Sequence, residues 1–387
     1  MKAYHEKRIA NADPGANLAA CAEEVRAAIE RVLASGRYIL GPEVEAFERE
    51  FSAWLGPQYC VTVANGTDAL EFALRAAGVR PGDGVVAPAN TVSATIAAIL
   101  GAGARPVLCD VDPRTMCLSP ARLAELLASP RGAGVRAVVP VHLYGQPCAM
   151  VEIAALAGQH DLLVVEDGAQ AHGAGIENRK VGTWGHAAAF SFYPTKNLAA
   201  LGDGGAVVTN DAELAGRVRA LRQYGWRQRY VSVDDGGRNS RLDELQAAIL
   251  RVRLRFLDAE NQRRRDLARR YGARLAGADL RLPPWNGDFR PVFHQFAIRT
   301  AERDSLVAWL AERGVVAAVL YPVPVHRQPA YAAWAPPETE ALVECERCCA
   351  EVLSLPVHPA LTEADIDFVA AQVLDWLRLG RRTAGQS

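Results

Sequence analysis

Between residues 60 and 210, short apolar runs alternate with stretches whose apolar positions recur at the helical period. Gly84-Val85-Val86-Ala87 and Pro106-Val107-Leu108-Cys109 read as strands, as do the segments 136–141, 162–165, 187–192 and 205–209. Between the first four, helices are expected near 92–102, 119–128 and 149–158. Strands that are apolar on both faces and separated by helices predict an α/β fold, with a mostly parallel central sheet covered by helices on both faces. Farther on, the segment 241–256 places Leu242, Leu245, Ile249, Val252 and Phe256 on one helical stripe with arginines between them. After Asp258 the chain turns arginine-rich (Arg263, Arg264, Arg265, Arg269, Arg270) and helical, then proline-rich at Pro283-Pro284. A domain change is therefore placed near 258. Residues 1–258 would form a large domain with an N-terminal arm. Residues 259–387 would form a smaller α+β domain, with strands at 292–300 and 315–320 and helices at 304–313 and 363–379.

Length supports two domains, because 387 residues exceed one ordinary compact core. The formal net charge of −1 argues against nucleic acid or an anionic membrane as the main partner, since both require a basic surplus. No apolar run approaches the roughly 20 residues needed to span a bilayer. The segment 1–15 lacks the apolar core of a signal peptide, so a cytoplasmic location is expected. Eight cysteines at irregular spacing form no paired framework, which fits a reducing compartment. Cys345-x-x-Cys348-Cys349 lacks a second ligand pair, and its neighbours Glu344, Glu346 and Arg347 read as an ordinary helix, so no metal site is expected.

One imbalance changes the picture. Of the 43 basic residues only Lys2, Lys7, Lys180 and Lys196 are lysine. Where a plain positive charge suffices, this chain uses arginine. A lysine kept in an apolar, glycine-rich stretch is then more readily explained by a need for an amine. Arginine stays protonated in proteins and cannot act as a nucleophile. Lys196, in Phe190-Ser191-Phe192-Tyr193-Pro194-Thr195-Lys196-Asn197, stands in such a stretch. Desolvation there would lower its pKa and suit it to Schiff-base chemistry, whereas an ordinary surface lysine is the plainer alternative.

Two other segments carry candidate chemistry. Asn65-Gly66-Thr67-Asp68 precedes a helical run, and a glycine and a hydroxyl residue at a helix start make a phosphate cradle. Taken alone, it reads more readily as an N-cap built on Thr67 or Asp68, since every helix needs some start. Leu162-Leu163-Val164-Val165-Glu166-Asp167-Gly168-Ala169-Gln170 runs a buried strand into two acids. A carboxylate there can hold a ring nitrogen protonated or cap nearby N–H groups, and Gln170 could reach a polar atom of the same ligand. Ligands of open α/β sheets sit outside the carboxyl ends of the strands, where these segments fall. Together they offer a phosphate site, a pyridinium partner and an amine, the set that pyridoxal phosphate requires.

These motifs closely resemble those of the nucleotide-sugar aminotransferases of the DegT/StrS group, which have the fold of type I pyridoxal-phosphate transferases. The resemblance runs through Tyr38-Ile39-Leu40-Gly41-Pro42-Glu43-Val44, Ala64 with the segment just described, and Glu166-Asp167-Gly168-Ala169-Gln170-Ala171-His172-Gly173-Ala174. It continues through 191–205, Asn239-Ser240-Arg241-Leu242-Asp243-Glu244-Leu245-Gln246, and Tyr321-Pro322-Val323-Pro324-Val325-His326. The resemblance implies that Lys196 carries the cofactor and moves protons, that Asp167 pairs with the pyridine nitrogen and that Gln170 contacts the phenolic oxygen. Gly66, Thr67 and Ser191 would bind the phosphate. Asn239 would reach the neighbouring subunit's cofactor, making the active unit a homodimer. The implied reaction takes an amino group from glutamate or glutamine to a keto carbon of a nucleotide-linked sugar, for cell-surface polysaccharides or secondary metabolites.

Two departures stand out. An aromatic residue common in this family two places after Asn90 is replaced by Val92, so contact with the ring face would be aliphatic. A histidine common before Tyr321 is replaced by Leu320. Tyr321 and His326 remain candidate substrate contacts. Arg229, in Trp226-Arg227-Gln228-Arg229, could meet a diphosphate or lie in a solvated loop. A related sugar dehydratase would carry histidine in place of Lys196. A cyclitol ketone acceptor and a non-transaminating homologue that binds the cofactor are the remaining alternatives.

Overall fold

The computed structural model describes residues 8–285, 287–337 and 341–384. Lys2, Lys7 and the first seven positions of the segment read for a signal peptide lie outside the described residues. The centre is a seven-stranded sheet built from β1 (Tyr59–Val63), β2 (Gly84–Pro88), β3 (Arg105–Cys109), β4 (Val135–Val138), β5 (Leu163–Asp167), β6 (Ala187–Ser191) and β7 (Gly205–Thr209), in the order β1-β7-β6-β5-β4-β2-β3. Only β7 runs against the others, pairing antiparallel with both β1 and β6, while β2 to β6 are mutually parallel. The carboxyl ends of β1, β2, β5 and β6 therefore open on one edge of the sheet.

The strands form because their residues suit burial from both sides. β2 and β7 are buried at every position, and Val61, Val85, Val86, Val138, Val165 and Phe190 expose nothing. Helices Gly66–Ala77, Ser93–Gly101, Pro120–Ala128 and Met150–Gln159 cross between successive strands, as expected for a parallel sheet. The helix expected over 241–256 is Glu244–Leu254, and it is not one-sided. Ala247, Leu250 and Leu254 pack with helix Pro42–Leu55, while Ala248, Ile249 and Val252 pack with helix Ala22–Ser35. These two amino-terminal helices were not among the sequence expectations. Arg251, one of the polar positions, bridges Glu43 and Glu50.

A second apolar cluster gathers helix Leu257–Arg274, helix Arg303–Ala311, the carboxyl-terminal helix Glu363–Ala384 and an antiparallel pair, β8 (Phe296–Arg299) and β9 (Val352–Leu355). Ile9 of the amino-terminal segment joins this cluster, and Cys345, Cys348, Cys349 and Val352 join the cluster around the large sheet. The strand expected over 315–320 is not formed. Val315 bridges Ile9 and Ala318 bridges Ser354, so the segment divides its backbone between two partners and builds a ladder with neither. The three nearby cysteines lie on helix Val343–Glu351 with their side chains buried in the core.

Candidate active site

The loops that leave β1, β2, β5 and β6 meet above the sheet edge. The first of them enters helix Gly66–Ala77, whose cap is Asn65: its side chain accepts the Asp68 N–H at 2.8 Å. The cap expected at Thr67 or Asp68 is thus supplied one residue before the glycine. Asp68 is committed to Arg238 and to the Ser240 hydroxyl, which donates at 2.6 Å. Among the described residues, the first helical N–H groups, on Gly66 and Thr67, accordingly remain open at the positive end of the helix. Glycine is required at 66, because a Cβ there would lie 2.6 Å from Ser191 Cβ. Gly205 is equally constrained, with a Cβ falling 2.3 Å from the Asn65 carbonyl oxygen. Two glycines thus bring the helix start and Ser191 together as a cradle lined by N–H and hydroxyl groups.

The two acids ending β5 separate by strand alternation. Glu166 is fully buried and accepts the N–H groups of Gly182, Trp184 and Gly185 at 2.8, 2.7 and 2.9 Å, with His142 Nε2 at 3.1 Å. Its hydrogen-bonding capacity is used in holding the loop before β6. Asp167 faces the other way. Its Oδ1 accepts the Ala169 N–H at 3.1 Å and its Oδ2 accepts the Thr95 hydroxyl at 3.0 Å. Burial pushes the Asp167 carboxyl above its ordinary range, opposed by those two hydrogen bonds and by the charges of Lys196 and His142. We expect Glu166→Ala to lower stability by about 3 kcal/mol or more, because one buried and two part-buried N–H groups lose their acceptor. Denaturant unfolding checks this, and an unchanged midpoint would show that the loop needs no such anchor.

Lys196 lies on the loop after β6. That loop is fixed by Phe192 N–H to Gly204 O and Ala200 N–H to Phe192 O, both 2.8 Å, and by the Asn197 amide, which donates to Asn261 Oδ1 and Val292 O. Phe192 itself meets Phe47 and Phe51 edge-on at 5.3 and 5.6 Å. Nζ of Lys196 has no hydrogen-bond partner among the described residues. Burial pulls its pKa from 10.5 down to about 8, with Asp167 opposing the shift. Two neighbouring imidazoles are kept neutral: His172 is lowered to about 3 and His294 well below its usual range, chiefly by burial and next by the Lys196 charge. In the cofactor-free protein, Lys196 should therefore react with an amine-directed reagent with a midpoint near pH 8. Peptide mapping across a pH series reads it, and a midpoint near 10.5 would mean that the amine is not desolvated.

Of the other sequence candidates, Gln170 is buried and takes the Tyr144 N–H at 2.6 Å, while its Nε2 donates to the Tyr321 hydroxyl at 3.2 Å. Burial raises the Tyr321 phenol to about 12, with the charge of nearby Asp167 adding to the rise. Val92, partly buried, occupies the N-cap position of helix Ser93–Gly101, three residues before Thr95. The remaining three make no hydrogen bond to Lys196, Asp167 or Gln170 among the described residues. His326 is buried with Nε2 against Glu346 at 2.8 Å. Arg229 is exposed and lies over its own neighbour Tyr230 at 4.9 Å. Asn239 is exposed, beside the hairpin formed by Trp226–Gln228 and Val231–Ser232. Sequence reasoning missed Thr91, Thr95, Tyr144 and the two imidazoles. For the two threonines the signal was the hydroxyl spacing in Thr91-Val92-Ser93-Ala94-Thr95, which also suits a helix start, and His172 stood unassigned within the segment 166–174.

The cradle, the buried acid and the unengaged amine suit a phosphate, a protonated ring nitrogen and a carbonyl carbon, so the residues present fit a phosphorylated pyridine aldehyde. Among the described residues there is no cluster of three or more metal-ligating side chains, and no helix is long and apolar enough to cross a membrane. Known proteins share this architecture. The model of the DegT/DnrJ/EryC1/StrS aminotransferase family matches residues 20–374. The dTDP-3-amino-3,4,6-trideoxy-alpha-D-glucose transaminase of Streptomyces venezuelae is 48% identical over 368 residues, 94% of this chain and 96% of that protein. The crystal structure of S. venezuelae DesV with a ketimine intermediate superposes with a TM-score of 0.91 at 46% identity, covering 96% of this chain and 98% of that one. NtdA of Bacillus subtilis, crystallised with bound cofactor PMP, gives 0.86 at 31% identity, over 95% of this chain and 84% of that one.

Proposed function

The chain belongs to the DegT/DnrJ/EryC1/StrS aminotransferase family, and from that premise we propose that it uses pyridoxal 5'-phosphate to transfer an amino group from glutamate or glutamine to C3 of a dTDP-linked keto sugar. The observation that carries this reading is the convergence of Lys196, Asp167 and the Gly66–Ser191 cradle on one sheet edge. The cofactor recorded in NtdA supports pyridoxal phosphate. The 3-amino product in the name of the S. venezuelae relative supports amination at C3 and a dTDP carrier. Against a cyclitol acceptor, the names of several relatives specify a nucleotide-linked sugar, and against a non-transaminating role, they specify a transaminase.

The open N–H groups of Gly66 and Thr67 and the Ser191 hydroxyl would hold the phosphate, as expected of a helix amino terminus. Asp167 would hold the ring nitrogen, and Gln170 would contact the phenolic oxygen through the amide group it already aims at Tyr321. When bound, the cofactor supplies an electron sink for the carbon that loses its proton. Lys196, with a pKa near 8, accepts a proton on Nζ and returns it at near-neutral pH. Tyr321 stays protonated across that range and keeps a hydroxyl donor at the site. Any contact that Val92 made with the ring face would be aliphatic.

The same reading makes the active unit a homodimer. Asn239 has no side-chain hydrogen bond within its own chain among the described residues, and Tyr230 and Val233 nearby are 71% and 62% exposed, a surface that suits a second copy of the chain. To test the function, the purified protein is incubated with pyridoxal phosphate, glutamate or glutamine, and dTDP-, UDP- and GDP-linked 3-keto and 4-keto sugars. A dTDP-linked 3-amino sugar is expected by mass spectrometry and NMR. Amination of none of the panel would overturn the sugar reading, and product aminated only at C4 would overturn the regiochemistry.

A further inference from the structure

Asp167 is held by a chain of hydroxyls that begins on another strand's loop. Thr91 and Thr95 are each 1% exposed, and their Oγ1 atoms lie 2.8 Å apart. Thr95 Oγ1 continues to Asp167 Oδ2 at 3.0 Å, across 72 residues of sequence. Each hydroxyl has one proton to give. An ionised carboxylate can only accept, so Thr95 must spend its proton on Asp167. Its oxygen is then free to accept, and Thr91 must donate to it. Were Asp167 protonated, the acid could donate instead and the chain could run in reverse. The direction of the two hydrogen bonds is thus coupled to the charge on the acid.

The chain is also fixed in place. Thr95 N–H donates to Val92 O at 3.1 Å, which sets the first turn of its helix. Between the two threonines, the Ser93 hydroxyl donates to Gln328 Oε1 at 3.1 Å. Upstream, Ala89 O accepts the Val325 N–H at 3.2 Å. Buried hydroxyls with fixed backbones cannot turn to water for other partners.

We propose that Thr95, backed by Thr91, is a positioning residue that keeps Asp167 ionised and aimed at the ring nitrogen of the cofactor. This rests on the pyridoxal-phosphate reading above. Among the described residues, the Thr95 hydroxyl supplies one of two hydrogen bonds to the acid, and the other, from Ala169 N–H, falls on Oδ1. The charged and titratable groups facing Asp167 are Lys196, His142 and Tyr321. Lys196 must change protonation during turnover, so its help is intermittent, whereas the hydroxyl chain acts throughout. An acid that picked up a proton could no longer hold the ring nitrogen protonated, and the electron sink would weaken.

The test reads the acid itself. In the full-length protein freed of cofactor, pH-dependent infrared difference spectra, with Asp167→Asn as the blank, give the midpoint at which Asp167 takes up its proton. Thr95→Val keeps the shape and removes the hydroxyl. It should raise the midpoint by about one pH unit, a tenfold change in proton affinity. Thr95→Ser should restore it, and Thr91→Val should shift it the same way by less. In the holoenzyme, Thr95→Val should raise the acid limb of the visible-band titration by the same amount. Equal midpoints for wild type and Thr95→Val would overturn the proposal, as would a Thr95→Ser midpoint matching that of Thr95→Val. The infrared readout needs no cofactor, so those outcomes leave the cofactor reading standing. A wild-type protein that develops no visible band with pyridoxal phosphate would sink that reading instead.

Discussion

Lys196→Ala should abolish transamination, with turnover falling on the order of 10⁴-fold while the fold remains intact. The large effect follows from two roles meeting in one group. Nζ is the amine placed to hold the cofactor, and its proton transfer alone is worth about 10²–10⁴-fold. The fold is spared because the loop is held by other residues: Phe192, Ala200 and the Asn197 amide make its buried contacts, and the Lys196 side chain makes none of the hydrogen bonds among them. Lys196→Arg should be no better, since a guanidinium keeps its proton and cannot serve as a nucleophile. Turnover is measured as 2-oxoglutarate released from glutamate in the presence of the keto sugar. Retention of more than a hundredth of wild-type activity by Lys196→Ala would remove the lysine from the centre of the mechanism.

Asp167→Asn should lower turnover on the order of a hundredfold or more, the scale seen when one preorganised electrostatic partner is removed from a reacting centre. The amide is nearly the same size, and its oxygen can still accept the Thr95 hydroxyl or the Ala169 N–H. What disappears is the negative charge that makes a protonated ring nitrogen favourable. Stability should stay close to wild type, because burial already disfavours the ionised acid and the neutral amide escapes that penalty. This contrasts with the neighbouring Glu166→Ala, where the cost falls on folding. Chemical denaturation and turnover measured on both variants separate the two acids. Asp167→Asn with near-full turnover would show that the ring nitrogen is not held by this residue.

Much of the sheet was legible because β2, β3, β5, β6 and β7 are short apolar runs ended by glycine, proline or polar residues, and burial on both faces leaves no alternation to confuse the reading. The helix Glu244–Leu254 was legible in position but not in packing. Its stripe of Leu245, Ile249 and Val252 hid a second face of Ala247, Leu250 and Leu254, which acquires meaning only once the amino-terminal helices are in place. The segment 315–320 has the composition of a strand, yet a ladder needs a partner of equal length, and that is a property of the whole fold. β9, with Val352-Leu353-Ser354-Leu355, is too short to stand out beside the helix that precedes it.

The site divides along the same line. Lys196 was marked by the scarcity of lysine, and Asp167 and Gly66 by where strands end and helices begin. The strand end alone left Glu166 and Asp167 open, and the resemblance singled out Asp167; strand alternation and the 182–185 loop give the physical reason, because they show where each carboxylate points. Asn65 rather than Thr67 or Asp68 caps its helix, so the phosphate reading of Gly66 and Thr67 does not compete with capping. Thr91 and Thr95 were illegible because a threonine near a helix start has a local use, and their contact with Asp167 spans two strands.

The most direct test of the account maps the amine that takes the cofactor. The protein is saturated with pyridoxal phosphate, reduced with borohydride, digested and sequenced by mass spectrometry. One stoichiometric pyridoxyl label is expected, on Lys196, with none at that peptide in Lys196→Ala. A stoichiometric label on Lys180 or any other amine, with Lys196 unmodified, would contradict that expectation.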